Sequence, residues 1–187
     1  MRGLSLCLLA SFVLAGIGLL TLTHAAGAFD SQVKLTKINV NAPPERIFAL
    51  IEDFHNWGTW SPHEKANPSV QRTYSGPATG KGAIYEWNGG DGIGAGRAQI
   101  VESNAPANIL VDLDLTKPVM GHLALDFAFE RMETMTKVEV ATRGPSDLVK
   151  YVMSAFLGGS ILRISCAADG SPKALCDVIM KGVADRP

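Results

Sequence analysis

Charge of one sign is what this sequence most conspicuously lacks: 17 Lys and Arg stand against 18 Asp and Glu, for a formal net charge of −1, with no run of basic residues. The electrostatic footprint of a nucleic-acid partner is therefore missing, and none is expected. Cysteine is scarce as well. Of three cysteines, Cys7 falls in an apolar run and only Cys166 and Cys176 follow it, so a disulfide framework is excluded, while one bridge between the two stays open in an oxidising compartment. No Ser, Cys or Thr sits in a nucleophile elbow, since Ser61 precedes Pro62 and Ser75 lacks the flanking glycine pattern, so hydrolase chemistry has no motif here. Internal repeats and low-complexity tracts are absent too.

Metal and nucleotide signatures fail on their own chemistry. His55, His63 and Glu64 are neighbours in sequence, but a zinc site needs three or four converging ligands at about 2.0–2.3 Å, and this trio offers no helical pairing and no fourth partner. No metal is expected, and no cofactor. Gly92-Ile93-Gly94-Ala95-Gly96 looks like a dinucleotide loop, but Arg97 to Val101 continues as strand where a helix N-terminus should hold a pyrophosphate. A hairpin with close backbone packing is the reading that remains. Gly76 to Gly82 is one residue short of a phosphate loop and places Gly82 where a magnesium-binding hydroxyl belongs, so it reads as a turn.

One long hydrophobic run is present. Gly3 to Leu22 is uncharged and apolar, behind a single Arg2 and ahead of small residues at Ala25 to Ala28. Residues 1–28 are expected to be a signal peptide or a membrane anchor spanning through residues 3–22, which puts the body outside the cytoplasm, periplasmic or extracellular if cleaved. With roughly 30 residues set aside, about 155 remain, enough for one domain with a core of its own.

The body opens with Val33 to Val40, which reads as a strand. Pro43 and Pro44 then suit the first turn of a helix, with Asn41 or Ala42 near its cap and Glu45 at its positive end. Ile47, Phe48, Leu50, Ile51 and Phe54 recur at helical spacing, so this helix has one face to bury. Asp53 to Asn67 is rich in turn formers and carries Trp57 and Trp60, which points to a short second helix and a loop. Strands are expected at Val70 to Tyr74, Ala83 to Trp87, Ile93 to Ser103, Ile109 to Leu115, Leu123 to Phe129 and Thr136 to Thr142, and their short connections favour an antiparallel meander. Alternation is plain in Ile109-Val111-Leu113-Leu115 and in Leu123-Leu125-Phe127-Phe129. Ser146 and Asp147 are placed to cap a last helix with Val149, Val152, Met153 and Phe156 as its stripe.

Strand, helix, short helix, six strands and a terminal helix is the element order of the helix-grip fold, an α+β arrangement in which a curved antiparallel sheet wraps a C-terminal helix. The segments NAPPERIFALIEDFHNWGTWSP, NPSVQRTYSGPATGKGAIYEWNG, GRAQIVES and TKPV resemble the polyketide cyclase/dehydrase and lipid-transport branch of the START-like (SRPBCC) superfamily. That resemblance implies a domain over residues 33–157 with a hydrophobic cavity between sheet and helix. Residues 158–187 depart from it: Leu157 to Ser160 interrupts the expected long helix and Ala167 to Pro172 breaks it again, leaving an irregular tail.

Aromatic side chains supply the functional signal. Trp57, Trp60, Tyr85, Trp87, Phe127 and Phe129 offer large apolar area with occasional polar tips, which suits a pocket for an apolar or ring-containing ligand and equally suits an ordinary core. The candidate ligand-binding residues are Trp60, expected at the pocket rim, Tyr85, Trp87, Phe127, and Arg97, which would orient a carboxylate or carbonyl if it pointed inward. The expected partner is a hydrophobic small molecule or lipid. No catalytic residue is assigned. An aromatase/cyclase-type enzyme acting on a polyketide-like substrate would require an inward acid or base, and a noncatalytic envelope or stress-associated interaction module would fill the cavity with its own side chains.

Overall fold

The computed structural model describes residues 31–61, 70–89, 94–153, 164 and 168. Expectations that fall on other residues, namely the leader of residues 1–28, His63 and Glu64, the pairing of Cys166 with Cys176 and most of the tail, lie outside the described residues. Among the described residues no helix is long and apolar enough to cross a membrane.

Seven strands form one sheet in the order β1-β7-β6-β5-β4-β3-β2: β1 (Ser31–Val40), β2 (Gln71–Ser75), β3 (Ile84–Asn88), β4 (Ala95–Asn104), β5 (Asn108–Lys117), β6 (Gly121–Arg131) and β7 (Thr136–Pro145). Each sequential pair from β2 to β7 is antiparallel, the meander that short connections demand. Helix α1 (Pro44–Glu52), a 3-10 turn (Phe54–Asn56) and α2 (Trp57–Trp60) lie between β1 and β2, and α3 (Ser146–Val152) follows β7. This is the α+β helix-grip architecture, a curved sheet with a helix after its last strand.

Period-two alternation in the sequence becomes two-sidedness in the sheet. Along β5 the buried positions are Ile109, Val111, Leu113 and Leu115, and along β6 they are Leu123, Leu125, Phe127 and Phe129. The register sets Val111 against Leu125 and Leu113 against Leu123, so the apolar rows of adjacent strands coincide on one face. That inner face packs with Ile47, Phe48 and Ile51 of α1 and Leu148 and Val152 of α3 in a single core. Phe48 meets Phe129 edge to face, with centroids 5.8 Å apart.

Three local details sharpen or correct the expectations. The N-cap of α1 is Pro43, next to Ala42, and no side chain caps it, since proline carries no acceptor for the N2 and N3 amides. Helix α3 begins at Ser146, with Pro145 as its cap residue, so Ser146 and Asp147 lie inside its first turn, where Asp147 complements the helix dipole. Ala168 falls within the segment expected to break the terminal helix, yet it is helical, and it and Ile164 are buried in the core at four-residue spacing. That spacing is one helical face.

Candidate functional site

The inner face is built outward from the pair β3 and β4. Trp87 lies opposite Gly96, and a Cβ on Gly96 would stand 2.5 Å from Trp87 Cζ2. The indole therefore occupies the space that any Cβ at residue 96 would need, so the position calls for glycine. Within the glycine run of the sequence, Gly96 makes room for its aromatic neighbour.

Tyr85 is two residues away on the same face, opposite Ala98, and its ring stacks on Trp87 at 5.5 Å between centroids. Phe127 is fully buried between Ile109 and Val140 of the flanking strands. The sequence-designated Tyr85, Trp87 and Phe127 are thus brought to one apolar face. Trp60 joins the same core but not as a rim residue: it is 2% exposed, and its Nε1 donates to the Leu50 carbonyl at 3.0 Å. Trp57 Nε1 donates to the Ile51 carbonyl at 2.9 Å. Both indoles serve the last turn of α1, whose carbonyls have no partner within the helix. Two tryptophans three residues apart are explained by that clamp.

Arg97 is the sequence-designated residue that the structure puts elsewhere. It pairs in register with Glu86 and Asp114, both outward, while its neighbour Ala98 is the buried one. Its Nη2 donates to Gln99 Oε1 at 2.8 Å and its Nη1 lies 4.0 Å from Asp114 Oδ2. The reason is pleat parity: Arg97 is odd where Ala98 and Ile100 are the buried residues of β4, so a contact with an inner guest is ruled out by the strand itself.

Around Arg97 the outer face is polar and cross-paired. His122 Nδ1 lies 2.8 Å from Asp114 Oδ1, Arg143 Nη2 lies 3.3 Å from Asp126 Oδ2, and Lys37 and Lys137 both reach Glu139, at 2.8 and 2.9 Å. The two lysines hold the Glu139 carboxyl below the usual carboxylate range, chiefly through hydrogen bonds. Hydrogen bonds to Glu130 and Glu139 push the Lys137 ammonium upward. Such exposed pairs fix side-chain geometry more than they stabilise the fold.

Among the described residues no Asp, Glu, Lys, Arg or His is buried, and the buried polar residues are Ser61, Thr136 and Thr142. Thr136 Oγ1 donates to the Ala42 carbonyl at 2.7 Å and ties β7 to the entrance of α1. Thr142, opposite Leu125 in register, donates to the Met153 thioether at 3.7 Å, a weak acceptor. Its hydroxyl is a polar handle on an apolar wall. In the sequence Thr142 is inconspicuous, since a threonine continuing Thr136-Val138-Val140 looks like any β-branched strand residue.

No family model and no curated protein matches the sequence. Solved structures do resemble it. CalU16 from Micromonospora echinospora superposes with a TM-score of 0.55 at 10% identity, over 81% of this chain and 83% of that one. Ara h 8.0201 gives a TM-score of 0.57 at 10% identity over 75% of this chain and 99% of its own. DynU16, from the dynemicin biosynthetic locus, gives 0.51 at 16% identity over 75% of this chain and 49% of its own. At these identities what is shared is the fold.

Proposed function

We propose, from the START-like helix-grip fold that this chain has, that its inner face receives a hydrophobic small molecule or lipid, and that the protein carries this guest outside the cytoplasm. The observation that bears most weight is the character of that face. It is a continuous apolar layer across β3 to β7 that includes the rings of Tyr85, Trp87 and Phe127 and is free of buried charge among the described residues. Ligand pockets of this kind use large apolar area for affinity and a few polar groups for orientation, and Thr142 is such a group. The apolar run of residues 3–22 is the ground for the extracytoplasmic placement.

A guest would lie between the sheet and the segment that includes α3, Ile164 and Ala168. Transfer of apolar surface from water supplies the affinity, at about 25 cal/mol per Å² buried. Cyclase chemistry would need an acid or base facing the guest, and Arg97, the charged group nominated for an inward role, faces away. Binding is therefore the reading that the geometry favours.

Native mass spectrometry of the protein purified from its natural host tests this reading. A copurifying apolar molecule of defined mass, released on unfolding, is the expected result. Protein that carries no guest and takes up none from a lipid extract would refute it. The mass of the mature chain, intact or shortened near Ala28, reports in the same spectrum whether the leader is retained.

A further inference from the structure

We infer a second binding site, separate from the inner face, for a small hydroxylated aromatic molecule between the 3-10 turn and the β2–β3 hairpin. A half-open pocket of about 220 Å³ lies there, lined among others by Phe54, His55, Tyr74, Pro77, Ala78 and Ile84. This is below the 300–1,000 Å³ or so usual for drug-sized ligands, so the guest is a compound of one or two rings.

The walls are held in place before any guest arrives. His55 stacks on Tyr74 at 4.1 Å and 24°, Tyr74 on Tyr85 at 5.2 Å and 20°, and Tyr85 on Trp87 at 5.5 Å and 25°. This ladder of rings runs from the exposed His55 into the core. On the other side the hairpin turn is tied down by Gly80 N–H, which donates to the Glu52 carbonyl at 3.1 Å, and by Gly82 N–H, which donates to the Ile100 carbonyl at 2.7 Å. Gly76 has φ +76°, and a Cβ there would stand 2.4 Å from the Gly82 carbonyl oxygen, so the turn closes this tightly only with glycine. A preformed wall lowers the entropy that binding must overcome.

The polar corner sets the chemistry of the guest. His55 Nδ1 lies 2.8 Å from Asp53 Oδ1, which also accepts from the His55 backbone N–H at 2.9 Å, while Asp53 Oδ2 accepts from Asn56 Nδ2 at 3.3 Å. An ionised carboxylate only accepts, so Nδ1 carries a proton, and in the neutral ring Nε2 is then an acceptor. A guest that donates a hydroxyl proton to Nε2 while its ring packs on Phe54 and Ile84 satisfies both halves of the pocket. Phosphate is disfavoured, because the lining contains no Lys or Arg and Asp53 stands behind the histidine. A phenolic or naphtholic compound is the class that fits.

Titration of the ¹⁵N-labelled full chain with 2-naphthol and, in parallel, with 2-methoxynaphthalene tests this site. Saturable shifts at the Ser75, Gly76 and Ala78 amides and at His55 Nε2 are expected. The methoxy compound, which cannot donate, and the His55→Phe variant should each bind about tenfold more weakly, the effect of one hydrogen bond. Ala78→Trp, which fills the pocket and leaves the dyad intact, should abolish the shifts while the rest of the spectrum is unchanged. Absence of saturation at these amides, equal affinity for the two compounds, undiminished binding by His55→Phe, or shifts confined to Leu113 and Phe127 on the inner face would each overturn the inference. Failure here leaves the inner-face reading untouched, since that rests on other residues and another guest.

Discussion

Trp60 packs in the core and serves the last turn of α1 through its indole N–H. Its place in an aromatic cluster was legible from WGTW, but a donor reaching back ten residues to the Leu50 carbonyl has no local signature, because it depends on how α1 and α2 fold against each other. Trp60→Phe removes that donor and part of a buried ring, so urea unfolding should show a loss of about 1–3 kcal/mol. Gly96 carries a similar constraint in the opposite sense. The glycine run could be read as a hairpin, while its contact with Trp87 needed the cross-strand register. Gly96→Ala places a methyl against the indole, and a loss of about 1–3 kcal/mol with a changed tryptophan emission is expected. Arg97 shares its sequence parity with Ile93, Ala95 and Val101, which suggests an inward side chain; in the strand Ala98 and Ile100 are the buried residues, and a register shift between Ile100 and Glu102 interrupts the alternation beyond them. Arg97→Ala should leave affinity for an apolar guest unchanged in a fluorescence competition assay and alter stability by about 1 kcal/mol or less.

Helix α1 and the turn that leans on its C-terminus form a unit with its own pH dependence. Glu52, in the last turn of α1, has its pKa raised, first by burial and then by the neighbouring charge of Asp53. A carboxyl raised in the folded state favours folding while it is protonated, and the advantage is lost as pH rises from the unfolded value through the higher folded one. Glu52→Gln should therefore be more stable than the parent at pH 7, with the difference vanishing below about pH 4, near the unfolded value for a glutamate. A stability difference that grows on acidification would contradict this. At the scale of elements most of the structure was readable: the rows of β5 and β6 alternate without interruption, and prolines mark the start of α1. Residues 164 and 168 were harder. Glycine and proline nearby argued for a broken helix, whereas the burial of Ile164 and Ala168 is decided by packing against the sheet, which outweighs local propensity.

Two faces of unlike chemistry give the whole molecule its logic. The outer face meets water with paired charges, and the core gathers apolar side chains from β1, from β3 to β7 and from helices on both sides of the sheet in sequence. The element order makes this fold legible in the sequence, because alternation specifies which face is buried and short connections specify antiparallel neighbours. The position of Thr142 and the pocket beside His55 were not legible, since each arises where distant segments meet. The account turns on the inner face receiving a guest. Methyl-labelled NMR with ¹³C-palmitate measures this directly: intermolecular NOEs from the acyl chain to the methyl groups of Leu113, Leu125 and Val140 are predicted, and a spectrum in which the added fatty acid leaves those methyls unperturbed, or contacts only residues such as Leu110 and Ala124 on the opposite face, would contradict it.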